Sequence, residues 1–387
     1  MSDSTTIDDF YSIPDDFYSI PEIDFTPKPG EIQRRRSVNT PGLPGAKRAW
    51  QLVYATRTAS NAPIPASGIV ITPDRPDTAG ASPILVYCTE FHGLGGRCAP
   101  SQLLAGEGTE PAASFIATAL ERGWTVAVPD GQCLGITGLG PHMFLAGRAA
   151  AHAVLDLARA VRAVPELDSV NAPCVVWGYA DGGRAAIWAA EQHPRYAPEL
   201  DLRGVAAGAV VADPGALITE IDGGPWSGLA LAGLIGLTRA YSHLPVGHLL
   251  TDEGHLIVEQ AQELDAATLL ITYRNQPLGH WCERDDPWND PIWQYVLANE
   301  ASGYATPAVP VHLYHGTEDA LVPVAMGRHL FAEYRSLGVD LSWREYPNSH
   351  SGTATDGAPE AIVQLANYLA RRPERSRRPE PPRPQTT

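Results

Sequence analysis

The chain has 387 residues, of which 44% are apolar and 19% charged, enough apolar mass for one large α/β domain or two ordinary ones and too much for global disorder. Its 44 acidic against 28 basic residues give a net charge of −16, so the average surface repels phosphate backbones and nucleic acid is excluded as an expected partner. No run approaches the roughly 18 apolar residues of a membrane span, and five cysteines without CxxC spacing argue against both a disulfide framework and a structural zinc site.

The first residues are acidic, with no basic region and no apolar segment of signal-peptide length. A cytoplasmic location is expected, or a secreted one if a leader has been removed. Residues 1–22 read as an extended arm. It carries a tandem heptad, "DDFYSIP", at Asp8–Pro14 and again at Asp15–Pro21. One copy is expected to pack on the body through its Phe-Tyr pair while the other stays loose.

Strand and helix signals then alternate. "WQLVYAT" (Trp50–Thr56) and "GIVITP" (Gly68–Pro73) read as an early strand pair. "PILVYC" (Pro83–Cys88), "WTVAVP" (Trp124–Pro129), "CVVWG" (Cys174–Gly178), "GVAAGAVV" (Gly204–Val211), "VPVHLYHG" (Val309–Gly316) and "VDLSWREYP" (Val339–Pro347) follow, each short and bounded by Gly or Pro. Several are apolar throughout, as strands buried on both faces must be. Helical periodicity lies between them, as in "AGRAAAHAVLDLARAVRAV". This alternation predicts a mostly parallel sheet with helices on both faces, the α/β class. Residues 23–212 and 305–370 are assigned to that core. Residues 213–304 read as helical and form the expected cap over the sheet's carboxyl edge, where open α/β sheets bind ligands. The basic, Pro-rich segment 371–387 is expected to be a disordered tail.

Between Val175 and Ala186 stands "VVWGYADGGRAA", a strand, a glycine-flanked turn and a small-residue helix. It fits the nucleophile elbow G-x-S-x-G with Ala180 at the serine position. Downstream comes "HGTEDALVP" with Asp319, then "YPNSHSG" with His350. Nucleophile, acid, histidine is the chain order of α/β-hydrolases, and the chemistry needs a base beside the nucleophile and a carboxylate that fixes its tautomer. Between Glu318 and Asp319 the residues alone leave the acid open. His152 and His329 fall in helices and read as packing or surface residues. The loop "EFHGLGGRCAPSQ" (Glu90–Gln102) follows a strand and can aim a backbone N–H at an oxyanion. The expected donors are the amides of Leu94 and Asp181. The loop fits neither G-x-x-x-x-G-K-[ST] nor G-x-G-x-x-G, and no cofactor is expected.

These residues together resemble the secretory-lipase family of α/β-hydrolases. The resemblance rests on "FHGLGGRCAPS", "VAVPDGQCLG", "GYADGG", "GGPWSGLALAGLIGL", "HGTEDALVP" and the final histidine loop. It implies a hydrolase core with a helical cap and cofactor-free hydrolysis of small-molecule carboxylic esters by a Ser-Asp-His triad. Interfacial lipid contact is compatible with it. Carried over by position, it makes Asp319 the acid, His350 the base and Ala180 the nucleophile position. It also implies a possible pairing of Cys98 with Cys282. The Leu-, Ala- and Gly-rich cap points to an apolar acyl tunnel, with a bulky specialised ester, lactone or amide as the alternative substrate.

The alanine has three readings: a serine replaced to trap substrate, a non-catalytic ligand-binding relative, or chemistry by another route with His350 activating water. Asp181 is not expected to act as a displaced nucleophile, because the turn aims position 180 at the substrate. Ser227, in "GPWSG", lacks the strand-turn-helix context. Little or no turnover is expected.

Overall fold

Nine strands join in one sheet: β1 (Ile32–Val38), β2 (Ala46–Arg57), β3 (Pro63–Pro73), β4 (Ile84–Cys88), β5 (Thr125–Pro129), β6 (Cys174–Tyr179), β7 (Leu202–Gly208), β8 (Val311–Gly316) and β9 (Leu341–Tyr346). Their order is β1-β2-β3-β5-β4-β6-β7-β8-β9. The first three strands and the β3–β5 pairing are antiparallel, and the remaining pairings are parallel. The chain is described by a computed structural model over residues 16–21, 26–75, 82–95, 98–106 and 109–371.

The helices are α1 (Pro100–Ala105), α2 (Ala113–Glu121), α3 (Gly147–Arg162), α4 (Asp181–Tyr196), α5 (Pro214–Ile221), α6 (Ser227–Ala240), α7 (Asp252–Ala261), α8 (Ala266–Thr272), α9 (Pro291–Asn299), α10 (Val324–Ser336) and α11 (His350–Ala370). Strands β4, β5, β6 and β8 are buried at every position. Helices cover them on both faces, so no polar side has to be kept and the sequence runs apolar. One core lies under α3, α4 and α10, and a second under α2 and α11. The segment between β7 and β8 is helical, and α5, α6 and α9 pack over a third apolar cluster with Phe144 and Leu145. No helix among the described residues is long and apolar enough to cross a membrane.

Two elements depart from the sequence reading. β1 carries Arg34, Arg35 and Arg36 in a row and has no apolar alternation, because it is an edge strand, with Arg35 exposed and Arg34 and Arg36 engaging the segment around Phe17. β7 stops at Gly208, before the expected Val211, as Ala209 takes φ 42° and turns the chain out of the sheet.

The second heptad copy packs on the body. Tyr18 is buried and its hydroxyl hydrogen-bonds the Ser101 hydroxyl at 3.0 Å. The Arg36 guanidinium lies 4.4 Å over the Phe17 ring. The first copy and the tail from residue 372 lie outside the described residues.

Candidate active site

β6 runs directly into α4 through a single residue, Ala180, at φ 51° and ψ −113°. A side-chain-bearing residue held in so sparse a region costs about 1–3 kcal/mol, and such strain survives only where the surroundings over-determine it. Here they do. The Ala180 N–H donates to the Gly208 carbonyl at 3.0 Å, and its own carbonyl accepts from the Arg184 amide at 3.0 Å. A Cβ on Gly178 would stand 2.1 Å from the Gly182 carbonyl oxygen, and one on Gly182 would stand 2.0 Å from that of Cys88. Only glycine lets α4 press this closely on β4 and β6. Gly182→Ala is therefore expected to cost more than ~2 kcal/mol, read as a lowered urea midpoint, since backbone rather than a yielding side chain must move.

Asp319 leaves β8 in a short loop, and its side chain is fully buried. One carboxylate oxygen, Oδ1, accepts the amides of Leu321 (2.9 Å) and Val322 (2.8 Å). The other, Oδ2, lies 2.6 Å from His350 Nδ1. Burial pushes the carboxyl up, but the His350 bond, the imidazole's charge and the two amides outweigh it and hold Asp319 below the ordinary carboxylate range. The network assigns the proton to Nδ1 and leaves the Nε2 lone pair for other use. That Nε2 is buried and has no hydrogen-bond partner.

His350 is the first residue of α11, behind the N-cap Ser349. It is tied to the elbow strand by the Tyr179 hydroxyl, which donates to the His350 carbonyl at 2.6 Å, with the two rings 5.1 Å apart. The structure thus brings the Asp319–His350 pair beside Tyr179, the residue before Ala180. Glu318 takes no part and spends its amide on the Asn348 carbonyl. Ser227 is buried in its own segment, bonded to the Gly224 carbonyl.

Of the two expected oxyanion donors, only Asp181 is available. Its N–H opens α4 and finds no acceptor among the described residues, as first-turn amides do. Its buried carboxyl is pushed up to about 6 by desolvation, partly offset by Arg184. Leu94 does not fit. Its amide donates to the Leu264 carbonyl at 2.9 Å, beside a β-bridge of Gly93 with Asp265. The cysteine pairing does not form either: all five thiols are free, and Cys98 Sγ bonds the Gly95 carbonyl.

Sequence reasoning missed Glu90, the second residue past β4. Its carboxylate stands 4.0 Å from His350 Nε2 and keeps 47% of its side-chain exposure. Burial raises its carboxyl, and His350 and His92 pull it back. His92 itself is pinned, with Nδ1 on the Glu90 carbonyl (2.7 Å) and Nε2 on the buried Glu110 carboxylate (2.9 Å). Burial lowers His92, yet the Glu110 bond and charge carry it above its ordinary value.

Glu90 also lines a cavity of about 710 Å³, with Tyr87, Phe91, Leu103 and Phe115 as apolar wall and α8 at its rim. A second, small cavity of about 40 Å³ is lined by Glu90, Asp130, His142 and Asp181. Glu90 therefore joins the large cavity to both His350 and the start of α4. Among the described residues no group of three or more His, Cys, Asp or Glu side chains is arranged to hold a metal.

The sequence model of the secretory lipase family matches residues 100–376, a span that includes the elbow, Asp319 and His350. The chain belongs to the secretory lipase family. Among curated relatives, a protein of Mycobacterium tuberculosis described as a probable inactive lipase is 28% identical over 360 residues, covering 89% of this chain and 79% of its own. A secreted triacylglycerol lipase of Malassezia restricta is 26% identical over 372 residues, covering 89% and 76%. The X-ray structure of Candida antarctica lipase A superposes with a TM-score of 0.82 at 23% identity, over 92% of this chain and 85% of that one. At that identity the likeness speaks for the fold, and the chain has the α/β-hydrolase architecture.

Proposed function

We propose that this chain binds carboxylic esters with apolar acyl groups at a serine-hydrolase site that has its acid, its base and one oxyanion donor but not the nucleophile's hydroxyl, and that it forms no acyl-enzyme. The observation that carries the reading is the strained conformation of Ala180. An ordinary strand-helix turn has no need of it, whereas an elbow uses it to lift one side chain toward the substrate.

On this reading Asp319 holds the His350 tautomer, His350 Nε2 is the base and the Asp181 amide meets the developing oxyanion. The cavity behind Glu90 takes the acyl chain, and residues 213–304 form the cap over it. An alanine methyl supplies no lone pair, so the covalent half of the mechanism has no starting point. The description of the Mycobacterium tuberculosis relative as a probable inactive lipase supports this reading.

Pre-steady-state mixing with p-nitrophenyl octanoate tests it. The expected result is saturable binding, seen as a tryptophan fluorescence change, with no stoichiometric burst of nitrophenolate. A burst of about one equivalent per chain would mean that another residue accepts the acyl group.

A further inference from the structure

His350 Nε2 is buried with no hydrogen-bond partner among the described residues, and a Glu90 carboxylate oxygen stands 4.0 Å from it. Two polar groups at that separation are too far apart for a direct hydrogen bond. They are well placed for one water that bonds both at about 2.8 Å. We propose that Glu90 is a catalytic residue of a serine-independent route, in which His350 and Glu90 together hold and activate a water that attacks the bound ester directly. This rests on the ester-binding reading above.

The groups have the right roles. Asp319 fixes the proton on His350 Nδ1, so Nε2 is an acceptor. An ionised Glu90 is also an acceptor. A water between them donates one hydrogen to each, which leaves its lone pairs free for a carbonyl carbon. Asp181 lines the same small cavity as Glu90, and its unspent amide lies at the start of α4. The half-exposed Glu90 carboxylate gives solvent water a way in.

The step balances as a simple hydrolysis. The water oxygen bonds the carbonyl carbon while one of its protons moves to His350 Nε2. The carbonyl π pair goes to the oxygen, which the Asp181 amide meets. The tetrahedral centre then collapses and the carbon–alkoxide bond breaks. His350 returns its proton to the leaving oxygen. The acid product loses the water's second proton to Glu90, which releases it to solvent. Ester and water give carboxylate, alcohol and one proton, and the protein ends as it began.

Glu90→Gln keeps the shape and removes the second acceptor. The test measures p-nitrophenyl acetate hydrolysis by the chain as it stands, by Glu90→Gln and by His350→Ala, each after treatment with a fluorophosphonate that silences serine esterases. The same Glu90→Gln change is then made together with Ala180→Ser. With alanine at 180 the expected result is a fluorophosphonate-resistant rate that falls at least tenfold in Glu90→Gln, to the level of His350→Ala. With serine at 180, where the hydroxyl replaces the water, the loss should be at least tenfold smaller. A Glu90→Gln rate equal to the parent's overturns the proposal, and so does a parent rate no higher than that of His350→Ala. Equal losses in both backgrounds also overturn it, because they mark a structural role. If Ala180→Ser itself gains nothing, the ester-site reading fails instead.

Discussion

Ala180→Ser is expected to raise kcat/KM for p-nitrophenyl butyrate by about 10³-fold or more over the parent chain. The size follows from what one oxygen completes. Without a nucleophile, a hydrolase site keeps only what its oxyanion donor, its binding surface and activated water supply. Adding the hydroxyl to a turn already strained into the elbow conformation requires no rearrangement of the backbone. The base is waiting as well, with its Nε2 unpartnered and its tautomer fixed by Asp319 at 2.6 Å. A thousandfold gain is about 4 kcal/mol of transition-state stabilisation, within the range that activating one nucleophile provides. His350→Ala in the serine variant should remove most of that gain. A gain that survives His350→Ala would mean the new hydroxyl acts without this base.

Arg184→Met is expected to cost about 3–5 kcal/mol of stability, seen as a lower urea midpoint at unchanged slope. Arg184 stands on α4 just after the elbow and is almost fully buried. Its guanidinium donates to the carbonyls of Leu145, Val211 and Glu300 and pairs with the Glu300 carboxylate at 2.9 Å. The same carboxylate accepts the Gly147 amide and the Tyr241 hydroxyl. One buried ion pair thus ties the elbow helix to the start of α3, the chain after β7, the end of α6 and the chain after α9. Burial lowers Arg184, and the Glu300 charge opposes that shift, so each ion depends on the other. Removing the cation leaves Glu300 buried and uncompensated. Adding Glu300→Gln should restore part of the loss. A midpoint unchanged by Arg184→Met would show that this network does not hold the helical segment to the core.

How much of this could be read in the sequence depended on how local the determining forces are. The parallel strands were legible because burial on both faces forces continuous apolar runs such as "ILVYC" at β4. Ala180 and Asp319 could be placed because they follow two such strands, β6 and β8, whereas His350 follows the half-buried β9. β1 was not, since an edge strand keeps its arginines and shows no alternation. Leu94 misled because an amide's direction is set by its partner, and Leu264 belongs to a distant helical segment. The Glu90–His350 approach was invisible for the same reason, joining the loop after β4 to the first residue of α11. The only hint was a carboxylate standing next to a glycine-rich loop at a strand end. The cysteine pairing came from resemblance alone, and the packing leaves the thiols separate.

The most direct test of the central claim, that this site keeps a working acid–base pair and lacks the nucleophile's hydroxyl, is intact-mass analysis after exposure to a fluorophosphonate. The parent chain should stay at its own mass, and Ala180→Ser should gain one adduct, mapped to residue 180 and abolished by His350→Ala. An adduct on the parent, or none on the serine variant, would contradict it.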